Sequence, residues 1–472
     1  MAVGTSDVSM SDIANAFKDA DHARDRLSLT TPYSFSDYRG IRLNDSSFIP
    51  SSGAVSIDDF RGHSPYVPWS NQAKYDDGEA NYDQLGKSVS ISGDGKTGVA
   101  GSVNHDGAKG AIYVYDFTDW VAPTKLQASD KQSNDEFGYS VAISNDGNTI
   151  AVGAPFSDYY SYNNAGAVYI FTKSNGSWSQ QDKLVTSDAY TNSFFGMSVA
   201  ISHNGNLVVA GAPGDLTYAG SAYVFTRSGS TWSQEQKLGV GGTVAEVGYD
   251  EAGSSVSVSG DGLHIMVGAK YEDTTATNAG SIYYWTRPSS GANATMRQRF
   301  QHSDASQYDN AGKLNSIEIS GDGNTFVMGV EMERTNADQN TVNSRGAAYL
   351  FTRSGNTWTQ RKRFLAYDGA SWDYFGCSVS ISNAGDRVIV GAQGEDGSSV
   401  WDSGSVYMYI RGSNNWQIAF VYTPSFRASD AANYDYLGGD ISLSGDGYRF
   451  LVGANSTDHS NGTNRGSVYT FE

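Results

Sequence analysis

The sequence predicts an all-β protein, a seven-bladed β-propeller of four-stranded antiparallel blades. We expect its ring to be closed by strand exchange and to follow a short irregular or helical N-terminal segment. Three observations predict this fold: one segment recurs seven times, each copy holds two hairpin signals, and the last copy stops one strand short. The composition agrees, because 54 Gly and only 9 Pro among 472 residues suit many short strands joined by tight turns.

The recurring segment is clearest at Phe137 and Phe195, which begin FGYSVAISNDGNTIAVGA and FGMSVAISHNGNLVVAGA. The turn glycine of each copy follows the previous one at a spacing of roughly 52 to 62 residues, the size of a four-stranded blade with its loops. These turn glycines are Gly95, Gly147, Gly205, Gly262, Gly323, Gly385 and Gly447. Seven copies therefore predict seven blades.

Each copy divides into four strands. In the second copy, SVAIS and TIAVGA flank the turn Asn145-Asp146-Gly147, and Asp-Gly between alternating apolar segments is a strong hairpin signal. Strands 3 and 4 follow as AVYIFT and WSQQDKL, with a second tight turn between them. We expect strand 1, nearest the axis, to be the most apolar and strand 4 to be the most polar.

The two ends of the repeat region complete each other. The last copy ends at Glu472, directly after its third strand, whereas WSNQAK at Trp69 matches WSQQDK at Trp178 position for position. We therefore predict that residues 66–76 supply the outer strand of the last blade. The propeller then spans residues 66–472, and residues 1–65 form a separate docking segment. Such closure removes free sheet edges, which otherwise invite aggregation.

The copies resemble the FG-GAP repeat family at Phe137-Gly138, Phe195-Gly196 and Phe375-Gly376, and in the Gly-Ala-Pro segments that follow Val152 and Ala210. The resemblance covers about residues 66–472 and implies a seven-bladed propeller like that of integrin alpha subunits. Integrin-like copies often carry a D-x-D-x-D-G calcium loop between strands 2 and 3. The corresponding loops here, including FSDYYSYNN, GDLTY and YEDTTATN, lack that spacing, so no metal site is expected.

The first 65 residues follow another pattern. SMSDIANAF at Ser9, SFSDYRG at Ser34 and SIDDFRG at Ser56 each place serine or aspartate before an apolar residue, which is good helix-capping chemistry. This arrangement resembles the N-terminal segments of tailed-phage virion proteins. The resemblance implies a virion location, several copies on each particle, and other virion proteins as partners of residues 1–65.

Charge and hydropathy narrow the range of partners. The formal net charge is −19, from 51 acidic and 32 basic residues, which disfavours nucleic acid and anionic membrane surfaces as partners. The first residues lack a secretory signal, and no later stretch is long and apolar enough for membrane insertion. Cys377 is the only cysteine, so no intrachain disulfide forms, and FGCSVSIS predicts that its thiol is buried.

The motifs that usually mark an enzyme are missing from the sequence. Its seven histidines form no H-E-x-x-H pair, and there is no G-x-S-x-G elbow, phosphate-binding loop or dinucleotide fingerprint. We expect a protein without catalytic residues, cofactor or metal, and we expect His203 and His264 to face solvent. A polysaccharide hydrolase remains an alternative, because the separation in space of the many carboxylates cannot be read from the sequence.

Two recurring residue types are interpreted as structural. Aspartates stand three residues before the glycine that begins strand 1, and we expect them to accept backbone N–H groups between blades. They are Asp83, Asp135, Asp309, Asp373 and Asp435. Tryptophans at the start of strand 4 are expected to pack between blades rather than to bind ligands. They are Trp69, Trp178, Trp232, Trp358 and Trp416.

The candidate binding face follows from strand alternation. The loops between strands 2 and 3 and the connections between blades share one face of the ring, and these segments are long and varied. Variable loops on a rigid scaffold are where binding residues concentrate. The candidate ligand-binding residues on this face are Phe156, Asp158, Tyr159, Tyr160, Tyr162, Tyr218, Tyr271 and Trp401. Aromatic rings beside carboxylates suit sugars, and they suit protein partners equally well.

Beside the hydrolase alternative, two non-enzymatic functions remain open at this point. In the first, the protein is a virion adhesin whose variable loops bind a host-surface glycan or protein while residues 1–65 dock on the phage tail. In the second, it is a purely structural tail or capsid component that bridges neighbouring virion proteins.

Overall fold

The computed structural model describes residues 72–76, 82–118, 122–239, 249–273, 276–288, 293–333, 344–397, 400–411, 425–458 and 464–472. Over these ranges the chain is a seven-bladed β-propeller, as the sequence predicts. Six sheets have four antiparallel strands, and blade 6 has three within the described residues. The predicted docking segment, residues 1–65, lies outside the described residues, as do Trp69 and Trp416.

The strands of each blade run in order from the axis outward. Blade 1 has the strands Leu85–Ile91, Thr97–Ser102, Ala111–Asp116 and Thr124–Leu126, and blade 2 has Ser140–Ile143, Thr149–Ala154, Ala167–Ser174 and Ser177–Leu184. Blade 3 has Val199–Ile201, Leu207–Ala212, Ser221–Ser228 and Thr231–Gly239, and blade 4 has Ala252–Val258, His264–Ala269, Ser281–Thr286 and Thr295–Phe300. Blade 5 has the strands Ile317–Ile319, Thr325–Val330, Ala347–Ser354 and Thr357–Phe364, and blade 6 has Phe375–Ile381, Arg387–Ala392 and Ser405–Ile410. Blade 7 has Asp440–Leu443, Phe450–Ala454, Ser467–Phe471 and Gln72–Tyr75. One-turn helices lie at His105–Ala108 and Asp215–Tyr218.

Ring closure by strand exchange is confirmed. Gln72–Tyr75 pairs antiparallel with Ser467–Phe471 and is the outer strand of blade 7. The Lys74 ammonium lies 2.6 Å from a carboxylate oxygen of Asp430. The Tyr75 ring packs 5.0 Å from that of Tyr115 in blade 1, measured between centroids. The exchanged strand therefore holds the last blade and the first blade together.

The Phe-Gly-x-Ser segment explains how neighbouring blades meet. Phe195 is fully buried, and the Gly196 that follows it lies against the preceding blade. A Cβ added to Gly153 of that blade would stand 2.0 Å from the Gly196 carbonyl oxygen, so only glycine fits. The Ser140 hydroxyl donates a 2.8 Å hydrogen bond to the same oxygen. Glycine and serine therefore recur because the backbones of adjacent blades are in contact.

The predicted order of strand polarity is only partly right. Strand 4 is the most exposed, as in Thr295–Phe300, but strand 2 rather than strand 1 is buried along its whole length in most blades. Strand 1 of blade 3, Val199–Ile201, is only partly buried. The reason is that the inner strands line a central channel with a cavity of about 200 Å³.

The recurring aspartates have the predicted structural role at the four positions where the residue three places earlier is described. Asp135, Asp309 and Asp435 each accept a backbone N–H three residues earlier, at 2.7, 2.6 and 2.7 Å, and Asp373 does the same with Ala370. The Asp83 carboxylate contacts the His105 ring at 2.9 Å, and the residue three places before it lies outside the described residues. These carboxylates fix the turns between blades.

The predicted packing of the strand 4 tryptophans between blades is confirmed for those that are described. Trp358 is 4% exposed, and its ring packs edge-on against Tyr284 of the preceding blade at 5.6 Å. The Trp232 indole N–H donates to Gln181 of the preceding blade at 2.9 Å. Trp178 is half-buried. These side chains stabilise the interfaces between blades.

Cys377 is buried, as predicted, and burial raises the pKa of its thiol to about 12. Such a thiol is protonated at neutral pH and is a poor nucleophile. Among the described residues, no helix is both long and apolar enough to cross a membrane.

Candidate binding face

The variable face is built by direct contact between two kinds of loop. In blade 2, the loop between strands 2 and 3 meets the connection to blade 3. The Asn192 N–H donates to the Asn163 carbonyl at 2.8 Å, and the Phe194 N–H donates to the Asn164 carbonyl at 3.1 Å. Equivalent hydrogen bonds join Glu251 to Tyr218 and Tyr434 to Trp401. The face is therefore a continuous surface of backbone-tied loops.

The predicted tyrosines of blade 2 lie on the rim of this face. Tyr159 and Tyr162 exchange two backbone hydrogen bonds of 3.1 and 3.0 Å, which form a small hairpin. Tyr160 at its tip is 88% exposed, and its ring contacts that of Tyr159 at 4.5 Å. Asp158 holds the loop in place, because its carboxylate accepts the Asn164 N–H at 2.9 Å. The tyrosines are accessible to a partner, whereas Asp158 already has a structural role.

The remaining predicted residues lie on other blades and do not gather with these tyrosines. Tyr218 belongs to the loop of blade 3, and Tyr271, on blade 4, lies under the Lys270 ammonium at 4.7 Å. Trp401, on blade 6, is 65% exposed. The variable face thus presents several aromatic patches instead of one cluster of predicted residues.

One of these patches is continuous, and the sequence reasoning missed most of it. Five rings follow one another at centroid distances of 6.0, 5.5, 6.5 and 6.0 Å. They are Tyr139, Phe156, Phe194, Tyr218 and Tyr249. We call this set the aromatic arc. It runs from Tyr139, directly before strand 1 of blade 2, across blade 3 to the connection before blade 4.

Several aromatic residues of the variable face lie in a left-handed backbone conformation between blades. The residue directly before each strand-1 Phe-Gly position has a positive φ, as at Phe194 with 55° and Tyr374 with 56°. Residues two positions earlier repeat this, as at Trp372 with 73° and Tyr434 with 65°. The left-handed conformation costs a non-glycine residue about 1 kcal/mol. In the sequence, SFFG, DYFG and DYLG each place an aromatic residue at this position, namely Phe194, Tyr374 and Tyr436.

The opposite end of the channel is filled by three side chains from the turns between strands 1 and 2. Asn145, His203 and Asn383 point inward, and a Cβ on Gly93, Gly260, Gly321 or Gly445 would collide with one of them. The Asn383 amide donates to the Asn145 side-chain oxygen at 2.9 Å. Four glycines and three larger residues thus share the space around the axis.

The prediction that two histidines face solvent is therefore wrong. His203 is half-buried among the three side chains that fill this end of the channel, and burial lowers the pKa of its imidazole. His264 is also half-buried, and its Nδ1 lies 2.8 Å from the Tyr284 hydroxyl. His203 lies in a turn that closes on the axis, and His264 begins strand 2 of blade 4 beside Tyr284 of strand 3. A reading of the linear sequence places both at the surface.

Two carboxylates line the wall of the channel. Glu318 accepts the Ile381 N–H at 2.9 Å, and Asp440 accepts the Val89 N–H at 2.7 Å, so each contacts the next blade. Burial raises the pKa of each carboxyl group to about 7. In Ser90, Ser257, Ser380 and Ser442, a hydroxyl accepts the equivalent backbone N–H. The carboxylates thus take part in a ring of contacts between inner strands.

A carboxylate of the segment between strands 2 and 3 of blade 3 is ion-paired. Asp215 lies 2.6 Å from the Lys237 ammonium and accepts the Tyr223 hydroxyl at 3.1 Å. No group of three or more His, Cys, Asp or Glu residues that could hold a metal ion occurs in the described part of the chain.

The comparisons with known proteins agree with the architecture. The FG-GAP repeat model matches residues 120–171, 178–225, 358–409 and 424–471. The comparison with curated proteins returned no match. Where the strands are described, each matched segment ends in strand 3 of a blade, and 178–225 begins in strand 4 of the blade before it. A sequence repeat therefore does not coincide with a blade, because it ends one strand before the blade does. For this reason the last blade takes its outer strand from the other end of the chain. The chain therefore carries four FG-GAP repeats within a seven-bladed β-propeller, a fold suited to a binding or structural role.

Proposed function

We propose that this protein is a receptor-binding module whose variable face recognises a surface glycan. The observation that carries the proposal is the aromatic arc. Its rings contact one another at 5.5 to 6.5 Å and line up across two blades. Sugar rings stack their C–H faces on aromatic side chains, and a row of such rings offers successive sugars successive platforms.

The rigidity of the aromatic arc favours its interpretation as a binding site rather than as an apolar surface without a function. Phe156 and Phe194 are half-buried, so their positions are fixed before a ligand arrives, whereas Tyr249 is 70% exposed. Groups that are already ordered lose little conformational entropy on binding. The proposed role is binding without catalysis, since Glu318 and Asp440 hold backbone N–H groups of neighbouring blades.

Replacing Tyr218 and Tyr249 together with alanine is expected to weaken glycan binding. Each lost stacking contact is worth about 1 kcal/mol, so the double change should lower affinity by roughly tenfold to thirtyfold. The melting temperature should change little, because Tyr249 is 70% exposed and Tyr218 ends a one-turn helix outside the sheets. Binding of the purified protein to a glycan array, followed by calorimetric titration of the best ligand, measures this.

Two further variants make the result specific. Tyr448→Ala changes an aromatic residue that follows a turn on the opposite face, and it should leave binding unchanged. The triple change of Tyr159, Tyr160 and Tyr162 to alanine removes the rim hairpin instead. Loss of binding in the triple variant alone would move the contact from the aromatic arc to the rim. Absence of any glycan ligand would contradict the proposal.

The docking role of residues 1–65 is the finer part of the proposal. It is supported by the resemblance of the three Ser-Asp motifs to phage virion proteins. We propose that this segment attaches several copies of the propeller to a phage tail, with the variable face directed at the host.

A chain that lacks residues 1–65 is expected to fold with an unchanged melting temperature and to be absent from assembled particles. Incorporation assays on the truncated protein measure this. Normal incorporation would assign the attachment to the propeller and would favour a structural component that bridges neighbouring virion proteins.

A further inference from the structure

The channel opens on the variable face into a second cavity of about 170 Å³, which we call the mouth. This volume is smaller than the roughly 300–1,000 Å³ of pockets that enclose drug-sized ligands, so it suits the end of a ligand. The cavity is lined by the starts of inner strands and by residues that follow strand 2. Its polar lining residues include Lys87, Lys313, Asn315, Glu331, Gln393 and Asn455.

Lys87 brings a positive charge to this mouth. Its side chain is half-buried, and within the described ranges its ammonium group makes no ion pair. Burial lowers the pKa of the ammonium group, and the nearby Lys313 adds to this effect, while Asp440 and Glu136 oppose it. The ammonium lies 5.1 Å from the centroid of Tyr139, the first ring of the aromatic arc. A half-buried ammonium group such as this one is stabilised by pairing with an incoming anion.

Glu331 brings an acceptor that lacks a donor. The residue is 8% exposed, and one carboxylate oxygen pairs with Lys313. The other oxygen, Oε2, is buried and has no hydrogen-bond partner among the described residues. A buried acceptor left unpaired costs about 1–3 kcal/mol, which a donor from a ligand recovers. The side-chain amides of Asn315, Gln393 and Asn455 line the same cavity.

We propose that this mouth binds the carboxylate-bearing sugar residue of an acidic glycan. The sugar carboxylate pairs with the Lys87 ammonium, and a hydroxyl group donates to Glu331 Oε2. Because Lys87 lies over Tyr139, the sugars that follow continue along the aromatic arc. This inference rests on the proposed glycan-binding function and specifies the chemical class of the glycan.

The test compares two probes that differ in one functional group. They are an oligosaccharide that ends in glucuronic acid and the same oligosaccharide ending in glucose, each titrated calorimetrically into the full chain. We expect the acidic probe to bind at least tenfold more tightly. Lys87→Gln should remove that preference, and Lys87→Arg should retain part of it. Lys96→Gln, which removes the same charge on the opposite face, should change nothing.

The outcomes separate this inference from the function on which it rests. Equal affinity for both probes, or a preference that survives Lys87→Gln at an unchanged melting temperature, overturns the acidic-sugar site and leaves glycan binding intact. Binding of neither probe, nor of any neutral glycan, overturns both. An acidic peptide that competes with the glucuronic acid probe through Lys87 would show that the mouth selects carboxylates on proteins, which also contradicts an acidic-sugar site.

Discussion

Deletion of residues 66–76 is expected to open the ring and to cause aggregation or a large fall in melting temperature. The deletion removes the strand Gln72–Tyr75, so the edge of Ser467–Phe471 is left unpaired. It also removes the Tyr75 ring, which contacts Tyr115 and Phe117 of blade 1 at 5.0 and 5.8 Å. Differential scanning calorimetry and size-exclusion chromatography measure the two effects.

Point variants show whether the contact itself is responsible. Tyr75→Ala should cost about 3 kcal/mol, because it removes an aromatic side chain from the contact between the last and first blades. Tyr82→Ala removes a tyrosine that is 56% exposed and should cost little. A deletion variant that melts at the wild-type temperature would show that the ring does not depend on this strand.

Replacing Glu318 with glutamine is expected to stabilise the protein at alkaline pH. Burial raises the pKa of this carboxyl group from its ordinary value of 4.5 to about 7. The folded state thus holds the proton more tightly than the unfolded chain, and stability is lost as pH rises from about 4.5 to about 7. Glutamine cannot ionise and retains an acceptor for the Ile381 N–H. The gain at pH 8 should reach about 3 kcal/mol and should vanish near pH 4.

Urea unfolding at pH 4, 6 and 8 measures this difference. Asp94→Asn is a control of opposite sign. Burial of Asp94 acts to raise its pKa, but hydrogen bonds from Ser92 and Lys96 outweigh burial and lower it. Its carboxylate therefore stabilises the folded state at neutral pH, and asparagine should be less stable there than the wild type. Parallel loss of stability in the wild type and Glu318→Gln between pH 4 and 8 would show that Glu318 does not titrate near neutrality.

The sequence determined the features that depend on local signals and on repetition. Asp-Gly turns between alternating apolar segments identify hairpins without knowledge of their neighbours, as at Asp146-Gly147. Seven copies determine the number of blades, and the match between Trp69 and Trp178 located the exchanged strand. The roles of Asp135 and Trp358 were also predictable, because a residue that recurs in many blades serves the contacts that all blades share.

Only the tertiary structure decided which residues meet across blades. Phe194 and Tyr218 are far from Tyr139 in sequence, and their rings align because closing the ring brings successive loops onto one face. The channel illustrates the same reason. Asn145, His203 and Asn383 occupy equivalent turns that read as exposed in a single blade, yet seven-fold arrangement directs them to the axis, where four glycines leave them room. The mouth formed by Lys87 and Glu331 joins residues of blades 1 and 5, a juxtaposition that no repeat copy contains.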